Sequence, residues 1–159
     1  MSKTNNYDLP KYFTQTELCR LTGLSKMQVQ NLQNRKIINP VSQAYTTRFR
    51  LNELLICQLL KCTLELGFST NHFCKWGTNL TNLKICNYDV VNITAQGIGL
   101  YNVEPKPEKT LPQITFIGGI NGDPTEKITP LIIIPKLISE LETKCRELGL
   151  VESHKVVSR

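Results

Sequence analysis

The sequence predicts an α+β chain with a basic, helical first half and a second half richer in strands. Three observations carry that expectation. Residues 12–69 read as a short helix, a tight turn, a second helix, a basic segment and a longer helix. From Lys84 onward the apolar pattern changes from three- and four-residue spacing to β-branched, partly alternating runs. The charge also segregates: residues 1–69 carry nine Lys+Arg against four Asp+Glu, and residues 70–159 carry ten against nine, in a chain of net charge +6.

Thr14-Gln-Thr-Glu17 has the spacing of a capping box, so the first helix starts there. Leu18 and Leu21 give it one apolar face, and Thr22-Gly23 supplies a break. Leu24 leads into the next element, for which Ser25 is a good N-cap. Between Lys26 and Arg35 the apolar residues are Met27, Val29 and Leu32. Gln28, Gln30, Asn31, Gln33, Asn34, Arg35 and Lys36 fill the remaining surface. Amides can donate to and accept from adenine in the major groove, and Arg or Lys can reach guanine or phosphate. Such a helix suits that groove. A solvated helix in an asparagine-rich protein has the same composition.

Asn39-Pro40 is the expected end of this second helix, because proline disfavours helical geometry in the residue before it. In Tyr45-Thr-Thr-Arg-Phe-Arg50, Arg48 and Arg50 share one face of an extended segment and Phe49 takes the other. A basic hairpin of this kind is a wing able to lie on a phosphate backbone. Asn52 is the expected cap of the long helix, which carries Leu54, Leu55, Leu59, Cys62 and Leu66 and stops at Gly67.

LTGLS, the polar helix ending in KIINP, and RFRLNELLICQLLKCTLELGFS together resemble the DNA-binding domain of MerR-type regulators and their excisionase relatives. The likeness covers about the first half of the chain, with ELGFS its most specific part. It implies a winged helix-turn-helix over residues 12–77. Gln28, Gln30 and Asn31 are the candidate base readers, and Lys26, Arg35 and Lys36 the candidates near phosphates. Arg48 and Arg50 belong to the wing, and Thr16 and Tyr45 complete the candidate DNA-binding set. The chain departs from the family pattern at Gln30-Asn31-Leu32, where Arg-Tyr-Tyr is common. Lys36 stands where glycine is usual, and Arg50 where the wing often has tyrosine. Those departures bear on the target sequence and on any promoter-distorting mechanism.

Around this unit, residues 1–11 read as a flexible arm. Residues 71–76 add a short helix capped by Ser69 or Thr70, stopped by Gly77, with Phe73 and Trp76 packing back on the long helix. Gly77–Leu83 reads as a linker. Residues 84–150 form a small α+β domain of mostly antiparallel strands plus one helix. Its strands fall at Tyr88–Gln96, Leu100–Val103, Gln113–Ile117 and Leu131–Ile134, the last buried. Gly97-Ile-Gly99 allows a bend, and Glu104–Lys109 and Gly118–Pro124 read as a charged loop and a turn. Pro135 starts a helix to Leu148 with Leu137, Ile138, Leu141, Cys145 and Leu148 on one face, and residues 151–159 form a tail. The long dimer helix usual in MerR-type proteins is missing from the pattern. The second half therefore reads as a dimerisation module, a small-effector pocket or a docking surface for a protein partner.

The function expected is a sequence-specific, double-stranded-DNA-binding transcriptional regulator acting as a homodimer, since two copies on a twofold site supply affinity that one module lacks. The alternative is an architectural DNA-binding protein of a mobile element or phage, excisionase-like or a small packaging subunit. An enzyme is not expected: His72 and His154 are the only histidines, and no nucleophile or paired-acid setting surrounds them. No cofactor is expected. The six cysteines contain no C-x-x-C pair and read as reduced, small apolar residues, with a metal or redox sensor as the other use. MSKTNNYDLPKYF lacks a signal-peptide core, and no run approaches the roughly 18 apolar residues of a membrane span, so a cytoplasmic protein is expected.

Overall fold

A computed structural model describes residues 7–43, 46–102, 113–117 and 131–150. Within them the chain is α+β: five helices, a two-stranded hairpin and a four-stranded sheet. The expected arm residues before Tyr7, the loop at 104–109, the turn at 118–124 and the tail from Glu152 lie outside the described residues.

The helices start where a side chain replaces a missing backbone partner. In α1 (Gln15–Thr22), the Thr14 hydroxyl accepts from Glu17 N–H, and the Glu17 carboxylate accepts from Thr14 N–H at 2.8 Å. Gly23 ends it in the left-handed region, where a Cβ would be strained. Ser25 and Gln28 form the same reciprocal pair at the start of α2 (Lys26–Asn34). This helix ends before the expected stop at Asn39-Pro40. Lys36 adopts φ 61°, Lys36 N–H reaches Gln33 O, and Ile37 N–H reaches Leu32 O at 2.9 Å. Those two bonds, with Leu32 and Ile37 both buried, make a Schellman ending.

β1 (Val41–Gln43) and β2 (Thr46–Arg48) pair antiparallel. Phe49 then forms a two-bond bridge with Phe13, each N–H reaching the other's carbonyl at 2.7 Å, with both rings buried. Arg50 lies beyond the hairpin, as the N-cap residue of α3 (Leu51–Glu65). The Glu53 carboxylate accepts from Arg50 N–H. Asn52, the expected cap, is one residue inside the helix, and its side-chain oxygen accepts from Ile85 N–H at 2.8 Å. Leu54, Leu55 and Leu59 are buried as expected, whereas Leu66 is exposed at the helix end.

α4 (Thr70–Trp76) is capped by Ser69 and closed by Gly77. Phe73 and Trp76 are buried, and Phe68 meets Trp76 edge-on at 5.2 Å between ring centroids. Gly77–Leu83 is not a bare linker. Leu80–Asn82 and Ile85–Asn87 are 3₁₀ turns that pack on α3 with Leu80 and Ile85 buried.

The sheet has the order β5-β4-β3-β6, all antiparallel, with β3 (Val90–Thr94), β4 (Gly97–Asn102), β5 (Gln113–Ile117) and β6 (Leu131–Ile133). The bend expected at Gly97-Ile-Gly99 falls instead at Ala95-Gln96, because Thr94 pairs with Gly97 and its hydroxyl accepts from Gln96 N–H. β3 is central and buried on both faces, through Val91 and Ile93 on one and Asn92 and Thr94 on the other. β6 is an edge strand, so Ile133 is 50 % exposed where a buried strand is expected.

α5 (Ile134–Glu147) buries Leu137, Ile138, Leu141 and Cys145 and returns to the beginning of the chain. The Lys144 ammonium donates to Leu21 O at 3.1 Å, Glu142 accepts from Asp8 N–H, and Arg146 pairs with Asp8 at 3.0 Å. Buried residues from Phe13 to Cys145 belong to one core. No helix among the described residues is long and apolar enough to cross a membrane.

Because α5 and α1 share that core, Leu141→Ala should cost about 2–5 kcal/mol. Urea unfolding followed by fluorescence of Trp76, the only tryptophan, should shift by the same amount. An unmoved Trp76 transition would mean that the two halves unfold separately.

Candidate nucleic-acid interface

α2 turns Val29 and Leu32 inward. At 100° per residue, Met27 and Asn34 point most directly the opposite way, with Gln30 and Asn31 on either flank of that face. Met27 is 80 % exposed, Gln30 and Asn34 are exposed, and Asn31, on the other flank, is half-buried. Met27 is thus no core residue but an exposed apolar side chain on the outer face, a placement that its side-chain type conceals.

The amides on this helix have different employments. Gln28 is half-buried and spends its carbonyl oxygen on Ser25 N–H, so it serves as a cap residue. Gln30 accepts from the Gln15 amide at 3.2 Å and donates to Asn34 at 3.1 Å. Gln15, Gln30 and Asn34 therefore form a surface chain of amides across α1 and α2. Sequence reasoning missed Gln15, since only the packing of α1 on α2 brings it beside Gln30.

Cations flank the chain. Lys26 is exposed at the start of α2, and Arg35 and Lys36 are exposed at its end. Arg35 donates to Asn71 at 3.1 Å, and with Asn71, His72 and Lys75 it borders a shallow hollow between α2 and α4. Asn71 and Lys75 were legible as polar positions on α4, but nothing in their spacing joined them to Arg35. Thr16 is exposed on α1.

The two arginines expected to share one hairpin face have separate settings. Arg48 closes β2, is half-buried and donates to Thr47 O at 3.3 Å. Arg50 sits 3.6 Å from the fully buried Glu53 carboxylate, with 57 % of its own side chain exposed. Phe49 is buried between them, as its alternate position requires. Tyr45 lies outside the described residues.

Among the described residues, no group of three or more His, Cys, Asp or Glu side chains comes together to hold a metal ion. Burial pushes the Cys57 thiol well above its ordinary range. Burial raises Cys145 from an ordinary value of 9.0 to about 11, helped by the nearby Glu17 and Glu142 carboxylates. Neither thiol is poised as a nucleophile.

No protein-family model matches this chain, and no curated protein matches it.

Two outcomes follow from local chemistry. Lys36→Gly removes a Cβ from a left-handed position and should raise stability by about 1 kcal/mol in a denaturant titration; a loss would mean that the Lys36 side chain contributes more than its backbone strain. A thiol with a raised folded pKa holds its proton longer in the folded state than in the unfolded one. Its stabilisation is complete below an unfolded pKa near 9 and declines as pH rises to about 11 for Cys145. Cys145→Ala should flatten the fall in melting temperature across that window; an unchanged slope would place the alkaline sensitivity elsewhere.

Proposed function

We propose that the chain is a sequence-specific, double-stranded-DNA-binding regulator whose first half is a MerR-like winged helix-turn-helix. The observation that carries the reading is the outer face of α2, where the Gln30 and Asn34 amides lie beside exposed Met27 with Lys26 at one end and Arg35 and Lys36 at the other. Amides read adenine edges, an apolar group suits a thymine methyl, and flanking cations hold phosphates. α2 enters the major groove, and the β1–β2 hairpin with Arg48 lies against the backbone as the wing. The left-handed backbone at Lys36, the position where the family usually has glycine, supports the likeness independently of charge.

One such module buries little surface, so two copies act on a twofold-related site. The apolar face of α5 is already covered within the chain, and the contact between copies comes from elsewhere.

Selection of bound duplexes from a genomic library, followed by affinity measurements across a salt series, tests this function. Gln30→Ala and Asn34→Ala should each cost about 1–3 kcal/mol on the selected duplex and much less on random DNA. Arg48→Ala should weaken both alike and flatten the dependence of log affinity on log salt by about 0.9. Failure to enrich any duplex sinks the proposal.

A further inference from the structure

We propose that the surface on either side of Arg50 is a second phosphate-binding track for the same duplex, running from Lys11 through Arg50 to Lys84. The inference rests on the DNA-binding reading above and extends it to residues outside both α2 and the hairpin. Two hollows meet at Arg50 and Leu51. One, of about 300 Å³, takes Tyr7, Lys11 and Tyr12 from the N-terminal segment. The other, of about 390 Å³, takes Asn52 from α3 and Thr81, Asn82 and Lys84 from the 3₁₀ region. No carboxylate lines either hollow, and Glu53, the acid nearest Arg50, is fully buried.

Backbone bonds gather these three cations. The Phe13–Phe49 bridge holds Lys11-Tyr12 beside Arg50-Leu51. The Asn52 side chain fastens Ile85 N–H, which brings Lys84 to the same end of α3. The Asn39 amide donates to the Thr81 hydroxyl, so the second hollow also adjoins the segment that follows α2. Lys11 and Lys84 are exposed, and Lys11 lies 5.6 Å from the Tyr12 ring centre. Arg50 has the Glu53 carboxylate beside it, but Lys11 and Lys84 line the hollows with no acid among their neighbours there, and a polyanion is the partner such a lining favours. Hydroxyl and amide neighbours suit phosphate oxygens, and the lining offers no base-reading helix or strand. The track therefore adds affinity and orientation, not sequence choice.

The test is a salt series on a random duplex of about 30 base pairs with full-length wild type, Lys11→Ala, Lys84→Ala and the double variant. Each substitution should flatten the log–log slope by about 0.9 and weaken binding roughly five- to tenfold near 0.1 M salt. Lys136→Ala, the same charge change at an exposed site on α5, should leave both unchanged. The Trp76 melting transition should be the same in all variants, because both lysines are exposed. A double variant with the wild-type slope overturns the track while leaving the main reading intact. So does an equal loss in Lys136→Ala, or a loss confined to a single strand of the same length. A wild type without affinity for duplex overturns both proposals.

Discussion

The constraint that organises this molecule is the burial of α3 on nearly every side. Glu53, Leu54, Leu55, Ile56 and Cys57 are buried consecutively, followed by Leu59, Leu60 and Thr63. Five adjacent buried residues sweep more than a full turn, so no face of that stretch is available to water. The chain must wrap it, and α1, α4 and both 3₁₀ turns do so. Wrapping leaves the polar groups of the helix few partners. Thr63 donates to Leu59 O, and Glu53 places one carboxylate oxygen on Arg50 N–H. The other Glu53 oxygen is buried with no hydrogen-bond partner among the described residues. Once α3 is enclosed, the hairpin before it and α4 after it have fixed exit points.

That enclosure also separates what the sequence revealed from what it hid. Caps are local, requiring only two residues three apart, and Thr14–Glu17, Ser25 and Ser69 all start helices where their side chains predict. The strands at 90–94 and 113–117 were legible from β-branched runs, and the helix after Pro135 from its apolar spacing. Errors cluster where a residue's partner is distant. Asn52 has the chemistry of a cap but is 33 residues from the group it serves, Ile85. Leu80 sits in a polar stretch that resembles a linker, and only the surface of α3 gives it something to bury against. Lys36 ends α2 in a left-handed conformation, fastened by bonds to Gln33 O and Leu32 O, that a lysine side chain does not announce.

The proposed site shows the same division. Composition identified an amide-rich helix, but the number of amides exceeds the number able to read a base. The Gln28 amide oxygen is engaged by its capping bond, and exchanging that bond for a base contact would unfasten the start of α2. Gln30 and Asn34 differ because their bond joins two side chains and holds no backbone group, and a net surface hydrogen bond is worth only about 1 kcal/mol. A base edge that offers two bonds can displace it. The Gln15–Gln30–Asn34 chain thus holds the amides in an ordered arrangement in free protein without locking them away.

Charge placement supplies the last step. Arg50 looked like a wing residue because an extended strand puts it on the same side as Arg48, yet the Phe13–Phe49 bridge ends the hairpin between them. Beyond that bridge the chain is turning into α3, so Arg50 belongs to the end of a helix and to the segments packed there. The N-terminal segment and the 3₁₀ region bring Lys11 and Lys84 to it from 39 and 34 residues away in sequence. A basic excess that composition assigned to one half of the chain is, in three dimensions, drawn from both. Charge counted along a sequence can identify a partner's sign; only the backbone bonds that collect the cations define where that partner would lie.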